Sequence, residues 1–191
     1  MDKKSTRERL LEVTFKEVYK HGYAGASIAT ILKVAKVPKG SMYHHFSSKK
    51  AMVIAMIEEI LTPKVRDSFF IKLDDDSRAL DIIIFLFKKI SKNEMLITHG
   101  CPLHKLMFEM GSLDEDITNL CHNEFINMQN NFIKIIELGK KRGEIIDANS
   151  KSLAKFIIIS TWGALSIAPK YSSKKQFLKD TQHIIDYIRE N

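Results

Sequence analysis

Residues 37–52 read VPKGSMYHHFSSKKAM: a proline, a glycine, an aromatic pair, a run of hydroxyls and two lysines leading into a long helical pattern. Pro38 is placed for the first turn of a helix, where its fixed φ suits and its missing N–H costs nothing. Met42 and Phe46, four apart, point inward. That leaves Gly40, Ser41 and His44 on the opposite arc, with Tyr43 and His45 on its flanks. Ser48 then stands where a helix cap belongs. A short helix with an apolar underside and a polar, glycine-thinned outer face is built to be approached closely from outside.

Two further helices precede it. Leu11, Phe15 and Val18 form the first apolar stripe, and Gly22 stands where a helix would stop. Ser27 caps a second helix whose Ile28, Ile31, Leu32 and Ala35 recur at helical spacing. Three helices in the first fifty residues, the second and third joined by the turn KVPKG, have the lengths of a helix-turn-helix.

Charge singles out the same region. Residues 1–50 hold eleven Lys and Arg against four Asp and Glu, an excess equal to the whole net charge of +7, while the remaining residues carry nineteen of each. A polyanion such as DNA would be met by the first quarter of the chain. Lys39 has the reach for a guanine edge or a phosphate, Ser41, Tyr43 and His44 offer short donors, and Lys49 adds charge at the next helix start.

The rest is helical too, so the fold class is all-α. Period-2 alternation is absent, and apolar positions recur at helical spacing to the end. A fourth helix runs through Met52, Ala55, Met56 and Ile60, with a bend or break expected near residues 61–63 because Pro63 removes a hydrogen bond. Further helices are expected over about 77–93, after Gly100 with Pro102 in the first turn, along the amphipathic stretch that Gly143 ends, and over about 150–168 and 173–190. The boundary is placed at residue 50: 1–50 as the helix-turn-helix domain, 51–191 as a larger effector-sensing and dimerisation domain. Leu153, Phe156, Ile157, Ile158, Ile159, Trp162 and Leu165 wrap most of one helix, and Phe177, Leu178, Ile184, Ile185 and Ile188 add a broad stripe on the last. The economical reading is a homodimer joined by these two helices; two ordinary core helices of a monomer are the alternative.

Composition closes off other classes. The N-terminus lacks the apolar core of a secretory signal, and the longest weakly polar run is too short to span a membrane, so a cytoplasmic location with no membrane partner is expected. Two cysteines, Cys101 and Cys121, make no disulfide framework. No phosphate loop, nucleophile elbow or matched acid-base pair is present, so an enzyme is not expected, nor a cofactor. His99, Cys101, His104, Cys121 and His122 follow no closed zinc spacing, so no metal is expected.

The segment GYAGASIATILKVAKVPKGSMYHHFSSKKAM resembles the DNA-binding module of TetR-family transcriptional regulators, through Ser27, Gly40, Ser41, Tyr43, Phe46, Ser48 and Lys49. The likeness is close over about the first sixty residues and architectural beyond. It implies an all-helical homodimeric repressor that leaves a palindromic operator when an effector enters the second domain. Ser27, Lys39, Gly40, Ser41, Tyr43, His44 and Lys49 would form the DNA-binding site. A nonspecific, architectural DNA binder without an effector is the alternative. HGCPLHKLMFEMGSLDED and TWGALSIAPKYSS resemble the subgroup that includes the repressor of N-ethylmaleimide reductase, which places Cys101 and Lys170 at the positions of a reactive thiol and a nearby amine. A helix start and the neighbouring His104 and Lys105 suit a reactive thiol; a buried filler cysteine is the other reading. A reversible apolar effector would instead take a pocket lined by Phe85, Leu86, Met107, Phe108, Phe132 and Trp162.

Overall fold

A computed structural model describes residues 4–70, 77–146, 149–167 and 171–190. Among them every regular element is helical, in agreement with the expected class. The chain packs as two compact units: residues 1–64 with 102–122, and residues 65–101 with 123–191.

The first unit begins with α1 (Thr6–Gly25), started by a reciprocal cap in which Ser5 and Glu8 accept from each other's backbone amides. Gly22 does not end this helix as expected. It kinks it, at φ +76°, ψ 174°, and the helix resumes for one short turn before Ala26 donates to the Gly22 carbonyl at 3.1 Å. α2 (Ile28–Ala35), α3 (Lys39–His45) and α4 (Lys49–Met56) follow, and α1 packs against all three. Their shared core is Leu10, Leu11, Val18, Ile31, Met42, Met52, Val53 and Met56, each 6% exposed or less. Two elements from later in the sequence belong to the same unit: α8 (Pro102–Met110) against α1, and the first turns of α9 (Glu115–Lys141). Lys50 bridges Asp114 and Asp116 there, 2.7 Å from each.

The break expected near Pro63 takes a definite form. Residues Ile57–Leu61 adopt a π-helical turn in which the Thr62 amide donates to the Ile57 carbonyl, five residues back, and α5 (Thr62–Phe69) continues from it. One wider turn lets the chain pass a residue with no amide hydrogen without ending the helix.

The second unit holds α6 (Ala79–Ser91), α7 (Glu94–His99), most of α9, α10 (Ser150–Leu165) and α11 (Lys174–Glu190). α6 starts later than expected because its cap comes from far along the chain, with Glu144 accepting from the Ala79 amide at 2.7 Å. The short α7, capped by Asn93, was not foreseen: it is too brief to show a periodicity. Leu86, Phe87, Phe132, Ile136, Ile157, Trp162 and Phe177 fill the interior, with Phe87 and Phe177 edge to face at 6.4 Å. A buried carboxylate, Glu124, accepts a two-pronged pair of hydrogen bonds from Arg66, each 3.0 Å. The all-round apolar character of α10 divides between two surroundings. Leu153, Ile157, Ile158, Trp162 and Leu165 are buried, whereas Ile159 is 48% exposed and Phe156 lies against the exposed ring of Tyr187 on α11. A shallow groove of Phe156, Ser160, Gly163, Ala164, His183 and Ile184 lies along the same face.

Candidate nucleic-acid interface

The turn between α2 and α3 is set by Lys36, which adopts the left-handed conformation (φ 55°, ψ 47°) as the C-cap of α2. The Lys36 amide donates to Lys33 and the Val37 amide to the Leu32 carbonyl, at 3.3 and 3.1 Å, closing the helix end. Pro38 lies one position earlier than expected, as the N-cap of α3. Val37, Met42 and Phe46 are each 5% exposed or less and anchor α3 from below. Burying these three large side chains contributes roughly 1.5–3 kcal/mol apiece, enough to fix a helix far too short to be stable alone.

With that underside fixed, Lys39, Gly40, Tyr43, His44 and His45 are exposed and Ser41 is half-buried. A Cβ placed on Gly40 would meet nothing within 4 Å. Packing therefore makes no demand for glycine there, and the bare backbone faces outward. Ser27, also exposed, accepts from the Thr30 amide at 3.0 Å and shares a hydrogen bond with the Thr30 hydroxyl at 2.8 Å. Ser48 accepts from Ala51 at 3.0 Å, which starts α4 beside the α3 C-terminus.

Lys49 differs from its expected role as plain surface charge. Its ammonium donates to the Tyr23 carbonyl and lies 4.4 Å from the centre of the Tyr23 ring. Burial lowers its pKa, and the charge of Glu109 offsets part of that effect. One or two of its three N–H groups remain for a phosphate. The sequence reading passed over Thr30, Lys33 and Lys36, whose exposed side chains flank the same turn. Only the regional charge excess hinted at the two lysines.

The effector candidates scatter. Cys101, just before α8, is 1% exposed, so the sulfur lies out of reach of a solvent-borne reagent in this conformation. Lys170 lies outside the described residues, and a thiol-amine pair has no geometry here. Of the pocket residues, Leu86, Phe132 and Trp162 do come together. With Phe69, Met128, Ile158 and Thr161 they line a closely packed apolar cleft with no room for a water-sized molecule. Two of the expected lining residues are corrected. Phe85 is 58% exposed and Phe108 84% exposed, because Leu86 and Phe87 take the inner face of α6 while Leu103, Leu106 and Met110 take that of α8. Met107 belongs to the first unit and does not line the cleft.

Residues 10–56 match the N-terminal domain of "Bacterial regulatory proteins, tetR family". An HTH-type transcriptional regulator of Lactococcus lactis is 29% identical over 132 residues, 66% of this chain, and the match spans just under two thirds of that protein, 65%. The transcriptional repressor NemR of Escherichia coli is 45% identical over 53 residues, 28% of this chain and 27% of that one. The crystal structure of its reduced form superposes over 96% of this chain and 98% of its own with a TM-score of 0.82 at 24% identity, so the likeness beyond the N-terminal stretch is one of fold. A TetR regulator from Chloroflexus aurantiacus, 25% identical, superposes over 96% of this chain and 93% of its own with a TM-score of 0.84. Residues 10–56 therefore form a helix-turn-helix domain like that of the tetR-family regulators, and the rest of the described chain shares their all-helical fold.

Proposed function

We propose that the protein is a cytoplasmic, dimeric repressor that holds a palindromic operator through α3 of each copy and leaves it when its second unit is occupied by an effector. One observation carries the DNA reading: the outer arc of α3 presents Lys39, Ser41, Tyr43 and His44 around a glycine that packing does not require. Gly40 admits the groove wall, Lys39 and His44 reach base edges, and Ser41, Tyr43, Ser27 and Lys49 hold phosphates. Two copies of α3 roughly 34–36 Å apart would read half-sites one turn apart.

The exposed apolar face of α10 and α11 supports the dimer. Gly163 and Ala164 let a second helix pair approach, and Phe156, Ile159 and Tyr187 give it apolar area to cover. No helix among the described residues is long and apolar enough to cross a membrane. The effector is an apolar small molecule entering the cleft beside Phe132 and Trp162. That cleft has no room for even a water-sized molecule, against the roughly 300–1,000 Å³ of a formed ligand pocket, so entry must push helices apart. Separation of the two α3 helices then spoils the half-site spacing.

Fluorescence anisotropy on DNA from upstream of its own coding sequence tests this, with and without N-ethylmaleimide, for the wild type and Cys101→Ser. Saturable binding that the reagent leaves intact supports a reversible ligand. Release in the wild type alone moves sensing to Cys101. Equal binding to any duplex replaces the repressor with an architectural DNA binder.

A further inference from the structure

The kink in α1 is not left to itself. In an unbroken helix the Tyr23 amide would donate to the Tyr19 carbonyl, and α8 supplies a partner to each of these groups. The Glu109 carboxylate accepts from the Tyr23 amide at 2.7 Å and the Ala24 amide at 2.8 Å, one oxygen to each, while the Lys105 ammonium donates to the Tyr19 carbonyl at 2.8 Å. The fit admits no slack. A Cβ on Gly22 would lie 2.7 Å from a Glu109 oxygen, and the +76° φ at that position strains any other residue.

The peptide that Glu109 grips has two further connections. Its carbonyl, on Tyr23, is the seat of the Lys49 ammonium, and its chain runs through Gly25 and Ala26 directly into Ser27. Two of the residues assigned to DNA phosphates are thus placed from one short segment.

We propose that Glu109, more than fifty residues beyond the helix-turn-helix in sequence, is a positioning residue for DNA binding: by gripping the Tyr23 and Ala24 amides it sets where Lys49 and Ser27 meet the phosphate backbone. A carboxylate accepting two amide hydrogens is a strong, directional anchor, and neither a methyl group nor a carboxamide reproduces it. The carboxamide turns its own N–H groups toward one of the two donors. This inference rests on the reading that Lys49 and Ser27 contact phosphates.

The test is a salt series of anisotropy titrations on a random 30-base-pair duplex and on the upstream fragment, for the wild type, Glu109→Gln, Glu109→Ala, Lys49→Ala and Glu109→Ala with Lys49→Ala, each checked by thermal melting. Glu109→Gln is expected to bind about tenfold more weakly, with the slope of log K against log salt reduced by about one to two, as one or two phosphate contacts are lost. In the Lys49→Ala background the Glu109 substitution should cost much less, since one of its two routes is gone. Wild-type affinity and slope in Glu109→Gln, or full additivity with Lys49→Ala, would overturn the proposal and leave Glu109 a helix anchor only. Should Lys49→Ala itself leave the slope unchanged on both duplexes, the phosphate assignment beneath the proposal fails, and the proposal with it. If Glu109→Ala melts below the assay temperature, the isosteric Glu109→Gln decides alone.

Discussion

The proposed function places the first unit's site on its outside and the second unit's on its inside, and the two are encoded differently. On α3, burial of Met42 and Phe46 dictates which residues are left facing outward, so a core rule also picks out the proposed site. In the second unit Phe132, Trp162 and Leu86 serve the core and the cleft at once, and the residue types alone do not separate the two uses. Substitutions should therefore separate stability from function in the first unit and fail to do so in the second.

The largest expected effect is in the second unit. Phe132→Ala should cost about 3–5 kcal/mol in denaturant unfolding, because a 2% exposed aromatic leaves a cavity where it stood. Effector response should go with it; an intact response in a variant that melts early would break the comparison. Arg66→Ala comes next, since it takes the counter-charge from the buried Glu124 carboxylate and leaves it the Asn127 amide as a donor. The exposed guanidinium is screened, which brings the cost to roughly 2 kcal/mol, below that of a fully buried pair. Glu124→Ala should cost less, as the arginine it frees is half in water already, and a urea series on both variants checks the order. Ser27→Ala removes the cap that the Thr30 amide donates to, for about 1 kcal/mol. It should lower the salt slope of DNA binding as well, which a mere cap would not. The smallest effect is pH-dependent. Hydrogen bonds from Lys50, then from the Ile117 amide, hold the Asp114 carboxyl below its ordinary pKa. Its contribution is present at neutral pH and is lost as pH falls through that lowered value, so wild type and Lys50→Ala should differ in urea stability at pH 7 and converge only as pH falls beneath the ordinary aspartate range.

Much of the first unit could be read from local rules. Ser27 and Ser48 mark their helix starts by hydroxyls that do accept the expected amides, and Met42 with Phe46 fix the phase of α3. What escaped was non-local. The Glu144 cap on α6, the Glu109 grip on α1 and the membership of 102–122 in the first unit join residues more than sixty apart, where no spacing rule operates. The Pro63 break was legible as an event and not as a form, since a π turn and a kink answer the same missing amide. Phe85 and Phe108 were misplaced because neighbouring apolar residues leave the phase of a helix open by one position.

The claim at the centre is that the outer arc of α3 meets DNA and has no other duty. Gly40→Glu tests it most directly, in paired measurements of thermal melting and of anisotropy on the upstream fragment. Since a Cβ at this exposed position meets nothing within 4 Å, the substitution should leave the melting temperature within a degree or two, while bulk and negative charge in the groove should weaken DNA binding by about a hundredfold, ~3 kcal/mol. Wild-type DNA affinity in a folded Gly40→Glu protein would contradict the account.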